Sequence, residues 1–190
     1  LDLKPDDLFA RPDQSTEAYL RGLGFSERMI DGFFRSFYGG IFLERELQTS
    51  SRMFEFTFRM FSEGSATVPA KGMEEIPAQL ASRLPDHAIR FHSSVTAIGE
   101  AEVTLESGEV IEASHVVVAT GAHVAGKLVK GFKSVAPEWR AVTIVYFEAG
   151  ESPVGEAIIV LNGTPSGLVN NVAVMSDVSS DYAPDGKALI

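Results

Sequence analysis

Cysteine is absent from the 190 residues. That excludes disulfides, thiolate nucleophiles, zinc ribbons and iron–sulfur ligation together. Positive charge is scarce. Sixteen Lys and Arg stand against 26 Asp and Glu, a formal net charge of −10. Such a chain repels a phosphate backbone, and no local basic patch offsets this, so nucleic acid is not an expected partner. No apolar run approaches the ~20 residues that span a bilayer, and no signal-peptide pattern follows Leu1. A cytoplasmic location without a transmembrane segment is the expectation. His87, His92, His115 and His123 show no His-x-x-x-His spacing and no cluster of ligating neighbours, so no metal site is expected. No Gly-x-Ser-x-Gly elbow occurs. Glu74 and Glu75 adjoin in sequence and so do not face each other on a helix; they read as first-turn acids favoured by the helix dipole. No residue is identified as a catalytic acid, base or nucleophile. Gly22-Leu23-Gly24 lacks the third glycine of a phosphate-binding turn.

Apolar residues are plentiful at 45%, enough for a packed core. They fall into three zones. Residues 1–66 read as helical and aromatic. Asp13 to Thr16 offer cap oxygens to a helix that Gly22 and Gly24 stop. Ser26 caps a second helix carrying Met29, Ile30, Phe33, Phe34 and Phe37, and Gly39-Gly40 is expected to break it. Thr49 to Ser51 cap a third, which runs through Phe54, Phe56, Phe58 and Phe61 to Gly64. Residues 67–130 change period. A helix with Met73, Ile76, Leu80 and Leu84 on one stripe follows Gly72. Strands are expected at Ala88 to His92, Val95 to Ile98 and Glu102 to Glu106, with a two-residue turn at Ser107-Gly108 into Glu109 to Ala113. His115 to Thr120 is apolar on both faces and reads as a buried interior strand, turned by Gly121 into a short helix. Residues 131–190 read as strands at Val142 to Phe147, Ala157 to Leu161 and Leu168 to Val174. The sequence closes on Ala188-Leu189-Ile190, which reads as the start of another. Both ends read as cuts through a longer polypeptide.

The density of phenylalanine in the first zone has two readings. Phe33, Phe34, Phe37, Tyr38, Phe54 and Phe58 pack a core, or they form the wall of an apolar ligand cavity. Gly39-Gly40 beside them would let a backbone approach a flat ligand.

The order of pieces in the middle zone resembles a known family. Val68-Pro69-Ala70-Lys71-Gly72-Met73 leads into a helix ending at Leu84-Pro85. Ile89-Arg90-Phe91, Val95-Thr96-Ala97-Ile98 and the hairpin Val103 to Glu112 follow, running into Ala113-Ser114-His115-Val116-Val117-Val118-Ala119-Thr120. This succession is similar to the central part of FAD-dependent amine oxidases and their phytoene-desaturase-like relatives. Gly32 to Leu43 resembles the bacterial and plastid-type branch of that superfamily. The sequence departs from the family pattern at Lys71, Ser114, Ser36 and Tyr38.

The resemblance implies an α+β fold: a helical subdomain, a cofactor-domain fragment of helix, hairpin and buried strand, and an antiparallel substrate-domain sheet. It implies substrate-domain helices over 1–66, part of an FAD-binding domain over 67–130 and substrate-domain strands over 131–190. The family's Gly-x-Gly-x-x-Gly turn is not in the sequence, so an internal fragment that retains FAD poorly is expected. The implied activity is hydride transfer from an amine or apolar small-molecule substrate to flavin. The alternative is a non-catalytic binding module that keeps the fold. Carried over position by position, Val95 would meet the adenine through its main chain. Ala119, Thr120 and Gly121 would pass near the adenosine, and Gly72 would approach the cofactor domain.

Overall fold

The structure, a computed structural model, describes residues 5–132, 139–164 and 166–190. They form two compact units. One joins the described residues up to Pro77 with Arg140–Ile190; the other comprises those of Ala78–Trp139. The class is α+β.

The first unit is built on helices whose starts are capped as their sequences dictate. Helix α1 covers Pro5–Phe9 and α2 covers Thr16–Gly22. Ser15 Oγ accepts from Ala18 N–H at 3.2 Å and so satisfies one orphan donor of the first turn of α2. Ser26 does the same for α3, Glu27–Met29, accepting from Met29 N–H at 3.3 Å. A π-turn over Ile30–Phe34 then joins α3 to α4, Arg35–Phe42. Ser50 caps the longest helix, α5, Ser51–Glu63, and Gly64 ends it. The starts of α2 and α5 are tied together by Thr16 N–H to Thr49 O at 2.9 Å and Ser51 N–H to Gln14 O at 2.8 Å. Leu20, Ile30, Phe34, Tyr38, Phe42, Leu47 and Phe54 form the buried core between these helices.

Gly39-Gly40 does not break the helix. α4 runs through both and stops at Leu43, whose φ of 54° takes the left-handed cap conformation. The two glycines serve close approach instead. A Cβ on Gly39 would lie 3.1 Å from Glu44 O, and one on Gly40 would lie 3.2 Å from Asn170 Nδ2. The α4 helix thereby sits against a hairpin of β5, Ile159–Leu161, and β6, Asn171–Ala173. Asn170 Nδ2 donates to Ser36 O at 2.8 Å, and Ser36 Oγ donates to Asn162 O. A second two-stranded ladder pairs β4, Glu148–Ala149, with β7, Ala188–Leu189. Between β6 and β7 lie α8, Met175–Val178, and a 3-10 turn, Ser180–Tyr182.

Helix α6, Glu75–Ala81, follows Gly72, with Pro77 in its first turn. The second unit holds an antiparallel sheet of β1, Val95–Ile98, β2, Glu102–Leu105, and β3, Val110–Glu112, in that order. Helix α7, Ala122–Leu128, packs on β1. The turn from β2 to β3 has three residues rather than two. Leu105 N–H reaches Glu109 O at 2.8 Å and Gly108 N–H reaches Leu105 O at 2.9 Å, with Gly108 at φ 85°. This is a type I turn closed by a left-handed residue, a form in which glycine is preferred.

Three expected strands do not form. Ala88 to His92 has no ladder, and His87 and His92 take φ of 72° and 54°. His115 to Thr120 is neither paired nor buried; Val117 is 88% exposed. Val142 to Tyr146 is likewise exposed, and main-chain pairing begins only at Phe147. The common reason is physical. A strand's hydrogen bonds go to another strand, and the described residues supply none here.

Candidate functional site

The aromatic cluster of the first unit divides into a core and a surface row. Phe34, Tyr38 and Phe42 recur at four-residue spacing and turn the same face of the helix inward. Phe54 of α5 meets them, its ring 4.7 Å from that of Tyr38 and 5.9 Å from that of Phe34. Phe34, Tyr38 and Phe54 are thus interior packing, all 5% exposed or less. Burial pushes the Tyr38 phenol up to about 12, although the Thr57 hydroxyl works in the other direction.

Phe33, Phe37 and Phe58 stand differently. Phe33 and Phe58 are exposed and Phe37 is half-buried. Phe33 stacks on Phe37 at 5.4 Å with ring planes 15° apart, and Phe61 lies 5.6 Å beyond Phe37. This row presents ring surface outward. Phe61, near the end of the third aromatic helix, belongs to it as well. Its spacing of three from Phe58 and seven from Phe54 was the available signal.

Two carboxylates near these helices, the buried Glu55 and the half-buried Glu44, are committed to structure. Glu55 accepts from Tyr19 Oη at 2.7 Å and from Arg11 Nη1 at 2.8 Å, which ties α5 to α2 and to the chain after α1. Burial, then the hydrogen bond to Glu55, raises the Tyr19 phenol above its ordinary range. Burial opposes charge on Glu44, but hydrogen bonds from Thr49 and from Gln48 N–H, with Arg140 nearby, together outweigh it. Thr49 N–H and Oγ1 donate to Glu44 Oε1 at 2.8 and 2.9 Å, and the carboxyl is held below the usual range.

Gly72 lies in the same unit, at φ 103° in a turn where Gly72 N–H reaches Pro69 O at 3.0 Å. No atom would meet a Cβ there, so conformation and not space requires the glycine. Tyr182 Oη donates to Pro69 O at 2.7 Å and holds the turn.

In the second unit, Val95 opens β1 at the edge of its sheet. It faces Leu105. Glu106 N–H is taken by Ser94 O, and Leu105 N–H by Glu109 O just before β3. Pairs alternate between bonded and unbonded along an antiparallel ladder. Val95 therefore occupies an unbonded position, and its own N–H and C=O point off the sheet edge. A bulge follows between Val95 and Ala97. Ala119 and Thr120 are exposed and lead into Gly121, which caps α7. A Cβ on Gly121 would come within 3.2 Å of the His123 ring and 3.7 Å of Trp139. Those two rings meet edge to face at 5.3 Å. Since α7 packs on β1, Val95 and Gly121 open the two elements of one packed pair. Two hollows in this unit, one lined by Glu100, Glu102, Glu112 and Ser114 and one by Arg90, His92, Glu106 and Glu109, contain no residue of the aromatic cluster.

A family model of flavin-containing amine oxidoreductases matches residues 3–190. The chain belongs to the flavin-containing amine oxidoreductase family. No curated protein matches it, and no solved structure matches it. Within this family member, no group of His, Asp and Glu among the described residues could hold a metal ion. No helix among them is long and apolar enough to cross a membrane.

Proposed function

We propose that this chain forms part of an FAD-dependent oxidoreductase that takes a hydride from a small amine or apolar substrate. The observation that carries the reading is the outward pair of main-chain groups on Val95. An adenine edge needs one donor and one acceptor side by side, and an unbonded edge residue offers that pair without disturbing its sheet. Gly121 adds a start of α7 without a side chain of its own, beside the exposed main chain of Ala119 and Thr120. These residues suit the adenosine part of FAD. The sequence has no Gly-x-Gly-x-x-Gly turn for its pyrophosphate. Flavin, when bound, supplies the hydride acceptor. The chain's own contribution is to bind, orient and exclude water. Phe33, Phe37 and Phe58, joined by Phe61, offer ring surface for the apolar part of a substrate. Phe34, Tyr38 and Phe54 hold that row rigid from behind. Gly72 sets the turn before α6.

The test is the absorbance spectrum of the intact protein before and after anaerobic addition of amines and of apolar substrates. Flavin bands that bleach with one class are expected. A protein that stays colourless after incubation with FAD is instead a binding module without redox function. Val95→Pro sharpens the test. Proline at an outward-facing edge position removes only the free N–H and leaves the ladder intact. Flavin content should fall in a folded variant; unchanged content removes Val95 from the site.

A further inference from the structure

The helical segment from Ile30 to Phe42 sorts its side chains into three rows, each at four-residue spacing. Ile30, Phe34, Tyr38 and Phe42 are buried in the core. Phe33, Phe37 and Ile41 each precede a core residue, and Phe33 and Ile41 are exposed. Gly32, Ser36 and Gly40 form the third row. A straight α-helix does not keep such a spacing in line: three steps of four residues turn it about 120° beyond the starting direction. The π-turn over Ile30–Phe34 carries more residues per turn and takes up part of that excess. The division into rows, and with it the outward stacking of Phe33 on Phe37, therefore depends on this turn.

The β5–β6 hairpin seats on the third row. An added Cβ on Gly163 would lie 3.1 Å from Gly32 O and 3.8 Å from its Cα, so the two main chains approach with no room for a side chain between them. At Ser36, which is fully buried, Oγ donates to Asn162 O, and Asn170 Nδ2 donates to Ser36 O at 2.8 Å. At Gly40 the side-chain amides of Asn170 and Asn171 close the row. The hairpin is stiffened where it makes these contacts. Asn162 N–H reaches Asn170 O at 2.9 Å, and Asn162 Oδ1 accepts from Thr164 N–H and Oγ1 at 3.1 and 2.6 Å. Apolar burial of Phe34 and Tyr38 is non-directional, whereas hydrogen bonds hold a rotation. We propose that Asn162, Gly163 and Asn170 are positioning residues: by gripping Gly32 and Ser36 they fix the rotation that turns Phe33 and Phe37 outward, and so set selectivity for the apolar ring of a substrate. The inference rests on the reading of that aromatic row as the substrate surface and deepens it.

Two variants test the grip. Gly163→Ala pushes on the main-chain oxygen next to Phe33. Ser36→Ala removes one directional bond, adds no volume and suits a helix, so it decides alone if the first does not fold. Ring-to-ring nuclear Overhauser effects in the intact protein read the rows separately. Both variants should lose intensity between Phe33 and Phe37 and between Phe37 and Phe61, and keep it between Phe34 and Tyr38 and between Tyr38 and Phe54. An unchanged Phe33–Phe37 effect in the folded variants overturns the proposal. So does parallel loss in both rows, which would make the hairpin a general support of the core. Titration with 2-naphthylmethylamine, followed at the same rings, reads the consequence without flavin turnover. Its Kd should rise ~10-fold in Gly163→Ala, the scale of one aromatic contact, with flavin content unchanged. A Kd that stays put while the rings move overturns the link to selectivity. If the native protein binds none of the amine while its rows respond as described, the substrate surface is refuted and the positioning of the row stands.

Discussion

The two compact units close their interiors to different degrees. The helical unit buries Leu20, Ile30, Phe34, Tyr38, Phe42, Leu47 and Phe54 against one another. Among the described residues of the unit of β1 to β3 and α7, the buried apolar ones are Leu105 and Ala125. Yet that unit's sequence is not poor in apolar residues; Val116, Val117 and Val118 stand in it side by side. The difference lies in how each element satisfies its backbone. A helix bonds to itself and needs only one apolar stripe covered. A strand apolar on both faces needs neighbours and two covering layers, none of which local sequence provides.

The largest expected effect tests that contrast. Tyr38→Ala or Phe54→Ala should cost about 3–5 kcal/mol, since each empties ring volume from a closed core. Hydrogen exchange should then quicken in α4 and α5. Leu105→Ala should quicken exchange in β2 and β3 and leave the helices as they were. If each variant loosens both sets of amides equally, the units unfold as one body and the contrast fails.

Next comes an alkaline limb of stability. The Tyr38 phenol ionises at about 12 in the folded protein because it is buried, against 10 in an unfolded chain. A raised folded value keeps its full contribution below pH 10 and loses it as pH climbs toward 12, at most about 3 kcal/mol. Tyr38→Phe should flatten that limb in urea midpoints measured from pH 9 to 12. An identical limb in the variant would assign it to other groups.

These contrasts also explain what the sequence made legible. Helix starts at Ser15, Ser26 and Ser50 were readable because a cap is a local bond. The β2–β3 hairpin was readable because its partner lies a turn away. Val142 to Tyr146 and His115 to Thr120 were not, because pairing depends on residues far along the chain. Among the phenylalanines the aromatic cluster was legible in the sequence, but its division into core and surface was not. Phe33 and Phe34 are adjacent in sequence, and only the phase set by the π-turn decides which one is core. Gly39-Gly40 misled for a related reason. Two glycines inside a helix look like a stop until the β5–β6 hairpin is seen against them.

The two glycines sharpen this further, with effects of about 1 kcal/mol and of opposite sign. Alanine gains about that much over glycine in a helix interior. At Gly40 the atoms in the way are side-chain amides: that of Asn171 can turn aside, and that of Asn170 need give only a few tenths of an ångström along its bond to Ser36 O. Gly40→Ala should therefore be neutral or stabilising in thermal melts. At Gly39 the obstacle is the main-chain oxygen of Glu44, fixed by the Leu43 cap, 3.1 Å from the new Cβ. Gly39→Ala should lower the melting temperature. Equal effects would mean that the hairpin, too, is a rigid wall.

The smallest effect probes the less closed unit. Glu102 and Glu112 face each other across β2 and β3. Since Ala113 N–H bonds to Ala101 O and Leu105 N–H to Glu109 O, this is an unbonded pair, where side chains come closest. Like charges so placed are destabilising, and opposite charges contribute roughly 0.2–1 kcal/mol. Glu112→Lys should protect the amides of β2 by that amount at low salt and by less at high salt, where exposed charges are screened. A gain of this size matters more here than in the helical unit, because few buried apolar contacts compete with it. Should Glu112→Lys instead weaken the hairpin, the two carboxylates must be sharing something that a lysine displaces.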